Sequence, residues 1–434
     1  MVKINTIFKR LRGKRILILG FGREGRSSLA FIQKFLPHAE VGVADKNESA
    51  FKDLNLNPNN SMSANNPKTY SGENYFDAIN NYDIVIKTPG ISLKDKDVDL
   101  SKITSQTDLF LEEFHNQIIG VTGTKGKSTT STLIYHLLKE SGRDAILAGN
   151  IGLPVFDIIE NINEKSIIVF ELSAHQLQFI HRSPHIGILL NVFEEHLDHF
   201  GTFEAYRNAK LNIIRYMGEK DWAVTTDEFS YFASEMMLHT INYQYYDFDV
   251  DWDRIPLKGE HNKLNVKAAL CSIQAFGVPV DEVLPYVKTF KPLEHRQELV
   301  GTFRGVTFYN DSISTIPQAA VAALQTIKNV RFLLLGGYDR EIDYTPLVDY
   351  LLKNPVAHIL FTGKAGERML SMLEANDYQG DVNKFKDLAE AFEIIRKKAK
   401  TGDTCLLSPA AASYDQYKNF EERGRVFKDF AKAF

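Results

Sequence analysis

The chain has 434 residues, of which 44% are hydrophobic and 24% charged, with a formal net charge of -4. The length exceeds a single domain of ~100–200 residues, and the balanced charge argues against a nucleic-acid or membrane surface. Only two cysteines, Cys271 and Cys405, are present, which excludes a disulfide framework and fits a reducing compartment. The apolar run 16–19 is too short for a secretion signal, and no stretch reaches the ~18 apolar residues of a spanning helix, so a cytoplasmic protein is expected.

Short apolar runs alternate with amphipathic stretches along most of the chain. From the N-terminus, residues 15–20, 41–44 and 84–87 read as strands, and the Asn-, Ser- and Pro-rich run 54–72 reads as a surface loop. Strands at 117–121, 167–171 and 187–192 follow, with helices at 127–141 and 203–216. A third group places strands at 306–310, 331–335, 358–362 and 404–408 and helices at 316–327 and 387–400. Strand alternating with helix implies parallel sheets covered on both faces, with ligands beyond the carboxyl ends of the strands. The expected fold is α/β in three domains, 1–105, 106–292 and 293–434. The first and last are expected to be Rossmann-like, and the middle one to hold a phosphate loop on a parallel sheet.

RILILGFGREGRSSL is a strand entering Gly20, Gly22 and Gly25 and then a helix, the G-x-G-x-x-G spacing. Such glycines permit a tight turn and turn helix-N-terminal amides toward phosphate oxygens. Asp45 lies 20 residues beyond Gly25, where a carboxylate meets a ribose hydroxyl. The pattern fits a nucleotide diphosphate or dinucleotide site; alone, it also fits a bare strand-to-helix turn.

QIIGVTGTKGKSTT holds a second loop, Gly123, Thr124, Lys125, Gly126, Lys127, Ser128 and Thr129. Its amides can cradle phosphates, Lys127 can reach the β- and γ-phosphates, and Ser128 or Thr129 can ligate Mg²⁺. The spacing departs from the usual P-loop, since Gly120 precedes Gly126 by six positions. IIVFE, residues 167–171, is an apolar strand ending in Glu171, the acidic partner such a metal needs. The bland alternative is a buried strand with a solvated tip.

TGTKGKST resembles the ATP loop of the Mur ligases. Further stretches resemble that family in order: ELSAHQL, NVFEEHLDHFGTFEAYRNAK, GEHNKLNVKAAL, LEHRQELV, NDSISTIPQAA and LLSPAAASYDQYKNFEERG. The resemblance covers all three expected domains. Its ending is the most specific element and points to members that join D-glutamate to UDP-N-acetylmuramoyl-L-alanine. It implies an ATP-dependent acid–amino-acid ligase of peptidoglycan precursor synthesis. Such an enzyme activates a carboxylate as an acyl phosphate for attack by an amine. ATP and Mg²⁺ are the implied cofactors. The implied partners are the two small-molecule substrates, with no nucleic acid or membrane, and a monomeric chain is expected.

The resemblance also implies roles for residues. Lys127 binds phosphates, Ser128 and Glu171 hold a first Mg²⁺, and His196 helps hold a second. Lys210 is carbamylated, giving an oxygen ligand where an ammonium cannot serve. Asn262, Asn265, His295, Arg296 and Asp311 complete the ATP side, with Arg296 stabilising phosphoryl charge. Gly22, Arg23, Glu24, Gly25, Asp45, Gly90 and Asn150 face the UDP-linked substrate. Thr315, Arg340, Ser413 and Phe420 face the amino acid. Without the resemblance, Lys210 reads as an exposed helix lysine, and His196, near Glu194, Glu195 and Asp198, as a solvated loop histidine.

One departure stands out. The D-glutamate-adding pattern N-D-S-K-x-T is here Asn310-Asp311-Ser312-Ile313-Ser314-Thr315. Losing a charge-assisted carboxylate contact costs ~1.5–3 kcal/mol unless another cation replaces it, and Arg340 and Lys418 are the candidates. The departure leaves L-glutamate or another acidic amino acid as the alternative substrate. A dinucleotide-dependent oxidoreductase is a more distant alternative that leaves TGTKGKST and Glu171 unexplained.

Overall fold

The computed structural model describes residues 4–52, 54 and 63–434, and of Asp198 the backbone alone. Among them, β1 (Ile16–Leu19), β2 (Val41–Ala44), β3 (Lys68–Tyr70), β4 (Ile84–Lys87) and β5 (Ile103–Thr104) form a parallel sheet in the order β3-β2-β1-β4-β5. A second parallel sheet contains β6 (Ile118–Thr122), β7 (Ala145–Gly149), β8 (Ile167–Glu171), β9 (Ile186–Leu189), β10 (Trp222–Thr225) and β11 (His239–Asn242). Its order is β11-β10-β9-β6-β8-β7. In the third, β12 (Glu298–Phe303) runs antiparallel beside β13 (Val306–Asn310). The rest are parallel: β14 (Val330–Gly336), β15 (His358–Thr362), β16 (Asp381–Lys384) and β17 (Thr404–Leu407), in the order β12-β13-β17-β14-β15-β16.

The central strands are apolar runs buried at every position, as in β1, β2, β9 and β17. That is the composition of strands covered by helices on both faces. Two compact units result: Met1–Asp253 with Leu264–Phe290, and Arg254–Lys263 with Lys291–Phe434. The first unit holds the first two sheets. In the first sheet the chain reverses direction between β1 and β4, and in the second between β6 and β9. The two glycine loops leave β1 and β6 at these reversal points, where parallel sheets open a crevice.

Two expectations need correction. Much of 54–72, read as a surface loop, lies outside the described residues. Its end, however, is the edge strand β3, with Lys68 in register with Gly42. Thr69 and Tyr70 have the β-branched and aromatic character that suits a strand, and Tyr70 packs edge-on to Tyr82. The strand expected at 187–192 ends at Leu189. Beyond it Asn191 leaves the sheet because its carbonyl and side-chain oxygens accept from Thr124 N at 2.8 Å and Lys125 N at 2.9 Å. No helix among the described residues is long and apolar enough to cross a membrane.

Asp108 ties the first two sheets together. It sits in the helix Gln106–Phe114 and is fully buried. Its carboxylate accepts from Thr104 Oγ1 at 2.8 Å and from His181 N at 2.7 Å, and pairs with His181 Nδ1 at 3.1 Å. Glu113 in the same helix accepts from the amides of Thr6 and Ile7, satisfying the first turn of the helix Asn5–Leu11. Removing the carboxylate strands several buried donors. Asp108→Ala should therefore destabilise the first unit by about 3 kcal/mol, read as an earlier thermal transition. A melting temperature unchanged within a degree would refute this role.

Candidate active site

The second glycine loop is built by backbone strain and side-chain bracing. Gly126 has φ +88°, and a Cβ there would fall 2.5 Å from Asn265 Oδ1, so only glycine fits. The helix Lys127–Glu140 starts at once, which aims its amides and positive dipole end into the loop. Thr124 Oγ1 accepts from Phe193 N at 2.9 Å and bonds Tyr206 OH at 3.0 Å.

Two lysine side chains meet on one carbonyl. Lys127 Nζ donates to Gly123 O at 2.9 Å, and Lys210 Nζ donates to the same oxygen at 2.8 Å. Lys210 is 1% exposed. Burial, then the charge of Lys127, holds its pKa well below the ordinary lysine value. The surface lysine that a sequence reading without the resemblance would give is therefore not what the fold makes. Glu171 ends β8 fully buried. It accepts from Asn150 Nδ2 at 2.6 Å and from Ser131 Oγ at 3.3 Å. Glu195 is buried, within 4 Å of Lys125 and of His196. His196 takes a left-handed backbone, φ +59°, and its ring stands 4.8 Å from that of His175, which is also 4.3 Å from His199. Burial, then His196 and His199, depresses the His175 pKa to about 3. Among the described residues no group of three His, Cys, Asp or Glu is already gathered in metal-holding geometry.

The first glycine loop faces this region. A Cβ on Gly20 would meet Thr88 Oγ1 at 2.0 Å, and one on Gly25 would meet Gly20 O at 2.2 Å. Gly22 stands before the helix Arg23–Phe35. Arg23 Nη2 donates to Gly149 O at 3.3 Å, and Glu24 accepts from Gln176 Nε2 at 2.9 Å. Asp45 braces the turn itself, accepting from Phe21 N at 2.7 Å and Asn47 N at 2.9 Å. Gly90 follows β4 with open space around its Cα.

In the second unit, three motifs gather at the carboxyl ends of β13, β14 and β17. Asp311 is fully buried. Ser408 Oγ donates to it at 2.7 Å and Gln297 N at 3.1 Å, and Ser314 Oγ donates as well. Arg296 stands near enough to favour its charge. His295 is held by Asn310 at 2.8 Å and packs so closely on Gly424 that a Cβ there would lie 2.2 Å from its Nδ1. Arg340 Nη2 donates to Thr315 O at 2.8 Å, which brings these two expected amino-acid residues together. Ser413 is buried, and the Phe420 carbonyl accepts from Ser312 Oγ at 2.8 Å. Asn262 donates to Lys258 O at 2.8 Å. It shares the helix Glu260–Ala275 with Asn265, and the division between the two units falls between them.

Sequence reasoning missed several members. His175 lay inside the quoted ELSAHQL stretch, Asn191 and Tyr206 inside NVFEEHLDHFGTFEAYRNAK, and Arg423 inside the C-terminal motif. Arg423 is 5% exposed and donates to Ser312 Oγ and O, Ala411 O and Ala412 O. It fastens the 310–315 loop to the 408–413 loop. Burial lowers its pKa to about 10.

Burial raises the Asp311 pKa to about 6, above the ~3.9 of an unfolded chain. Its ionisation therefore costs stability, nothing below pH ~4 and the full amount above pH ~6. The melting temperature of Asp311→Asn relative to the unaltered chain should rise from pH 4 to pH 7.5. An offset equal at both pH values would show the shift to be wrong.

Comparison with known proteins follows the same lines. The Mur ligase middle domain family matches residues 121–249, and the Mur ligase glutamate ligase domain family matches 295–411. A UDP-N-acetylmuramoylalanine--D-glutamate ligase of Symbiobacterium thermophilum is 35% identical over 84% of this chain and 87% of its own. One of Acetivibrio thermocellus is 32% identical over 99% of both chains. Among solved structures, the MurF ligase of Thermotoga maritima in complex with ADP superposes with a TM-score of 0.58 at 20% identity, covering 83% of this chain and 92% of its own. The UDP-N-acetylmuramate-alanine ligase MurC of the same organism gives 0.55 at 17%, covering 97% and 99%. These two share the fold. Together with the motif order and the loop geometry, the full-length likeness shows that this chain belongs to the Mur ligase family.

Proposed function

We propose that the chain joins the L-alanyl carboxylate of UDP-N-acetylmuramoyl-L-alanine to the amine of D-glutamate at the expense of ATP. Full-length likeness to ligases of that name supports the substrates. The observation that carries the chemistry is the convergence of the Lys127 and Lys210 side chains on Gly123 O. Lys127 supplies the charge for the transferring phosphoryl group, and a positive, water-poor loop is what transfer to a carboxylate requires. The resulting acyl phosphate is electrophilic enough for attack by the amine, which releases phosphate.

The donor set fits Mg²⁺. Among the described residues no cation lies within 4 Å of the buried Glu171, although a buried carboxylate calls for one, and Ser128 lies in the first turn of the helix whose Ser131 bonds to it. Mg²⁺, when bound, neutralises charge on the transferring oxygens. Glu171 and Ser128 would hold it, with His196 at a second position. Lys210 is suited to carbamylation because burial favours its neutral amine, whose lone pair attacks carbon dioxide as a proton leaves. Asn150 orients Glu171 through its 2.6 Å hydrogen bond. The first glycine loop with Arg23, Glu24 and Gly90 takes the UDP portion. Asn262, Asn265, His295, Arg296 and Asp311 take ATP, and Thr315, Arg340, Ser413 and Phe420 the amino acid. The three segments 1–105, 106–292 and 293–434 would divide the substrates in that sense, in a cytoplasmic, monomeric enzyme.

Ile313 removes the lysine of the usual loop, and Arg340 supplies the cation through its contact with Thr315. Phosphate release from ATP should require both UDP-N-acetylmuramoyl-L-alanine and D-glutamate. Release driven by L-glutamate alone would overturn the stereochemical assignment, and release with neither acid would overturn the ligase reading. Arg340→Ala should raise KM for the amino acid by about 10–100-fold with KM for ATP unchanged; equal shifts in both would count against the anchor. Stripping carbon dioxide should depress activity, and bicarbonate should restore it. Insensitivity to both treatments would exclude a carbamate on Lys210.

A further inference from the structure

Lys87 is a buried cation that the chemistry above does not use. It ends β4 and pairs in register with Leu19, the last residue of β1. It therefore stands where the first sheet reverses, at the carboxyl ends of the strands, the place at which such sheets bind ligands. It is 3% exposed. Its Nζ donates to Thr88 O at 3.1 Å and lies 5.2 Å from the centre of the Phe179 ring, and among the described residues no carboxylate lies within 4 Å. Glu24, on the helix after the glycine turn, faces it. Gln176 occupies Oε1 of Glu24, while the buried Oε2 has no hydrogen-bond partner. His175 is near enough to feel the charges of both Lys87 and Lys210. Among the described residues this ammonium meets a carbonyl and a ring but not the close anion that its burial calls for.

We propose that Lys87 is a specificity-determining residue whose ammonium binds an anionic group of the UDP-linked acid at the reversal point of the first sheet. This rests on the reading that the chain binds UDP-N-acetylmuramoyl-L-alanine. Lys87→Met keeps the length and apolar stem of the side chain while removing the charge, and Lys87→Arg keeps the charge. Binding of UDP-N-acetylmuramoyl-L-alanine to the full chain, measured by calorimetry without ATP, should weaken at least about tenfold in Lys87→Met and stay within about threefold in Lys87→Arg. KM for ATP should be unchanged in both.

Equal affinity of Lys87→Met and the unaltered chain overturns the proposal, as does a parallel rise in KM for ATP. If the unaltered chain does not bind this ligand, the substrate assignment itself falls, a result distinct from either. Should Lys87→Met fail to fold, the unaltered chain still decides. Burial places the Lys87 pKa near 8, with Glu24 opposing that shift. Affinity should thus fall as pH rises through about 8 in the unaltered chain and hold in Lys87→Arg, whereas a flat profile for both overturns the proposal.

Discussion

Positive charge held out of water organises the first unit. Lys127 and Lys210 converge on Gly123 O, and neither arrangement is cheap. Like charges repel and a buried ammonium loses its hydration, which is why the Lys210 pKa is driven down. The surroundings make it tolerable through a carbonyl acceptor, the nearby carboxylates of Glu171 and Glu195, and the ring of Tyr206, 4.9 Å from Lys210 Nζ. A site poised in this way gains most when an anion enters. Phosphate binding then restores what folding gave up, and the interactions are already oriented when charge shifts between oxygens.

The backbone supplies the other half of that loop. Glycines at positive φ and a helix that begins without an intervening turn aim amides inward, while Asn191 and Thr124 lock the loop to the strand end beside it. The first glycine loop works by close approach instead. Gly20 and Gly25 leave no room for a Cβ, so helix and strand come together and Asp45 pins the turn from the neighbouring strand. The two loops share a place in their sheets, the reversal point, and differ in what surrounds them. The second is ringed by cations, and the first by the opposed pair Lys87 and Glu24.

In the second unit the corresponding task falls to Arg423. Four hydrogen bonds from its guanidinium to carbonyl and hydroxyl acceptors fasten two loops from different strands. A buried guanidinium bonded to carbonyls is a rigid clamp. Rigidity matters because Ser413, Phe420, Thr315 and Arg340 sit on the loops that it joins or on those beside them.

The sequence by itself determined the strand and helix alternation, the two glycine loops and the carboxylate at the end of β8, because apolar period and glycine spacing are local signals. Motif order along the chain also made the family legible. Tertiary structure alone decided that Lys210 is buried rather than a solvated helix lysine, that Asp45 serves its own turn, and that Asn191 leaves the sheet to serve a loop 66 residues away. It also decided that Lys87 comes close to both Glu24 and His175. The physical reason is common to these cases. Burial and charge proximity depend on which strand ends become neighbours, and the strand order β3-β2-β1-β4-β5 that makes Lys87 the neighbour of the glycine turn is a long-range outcome that no local pattern encodes.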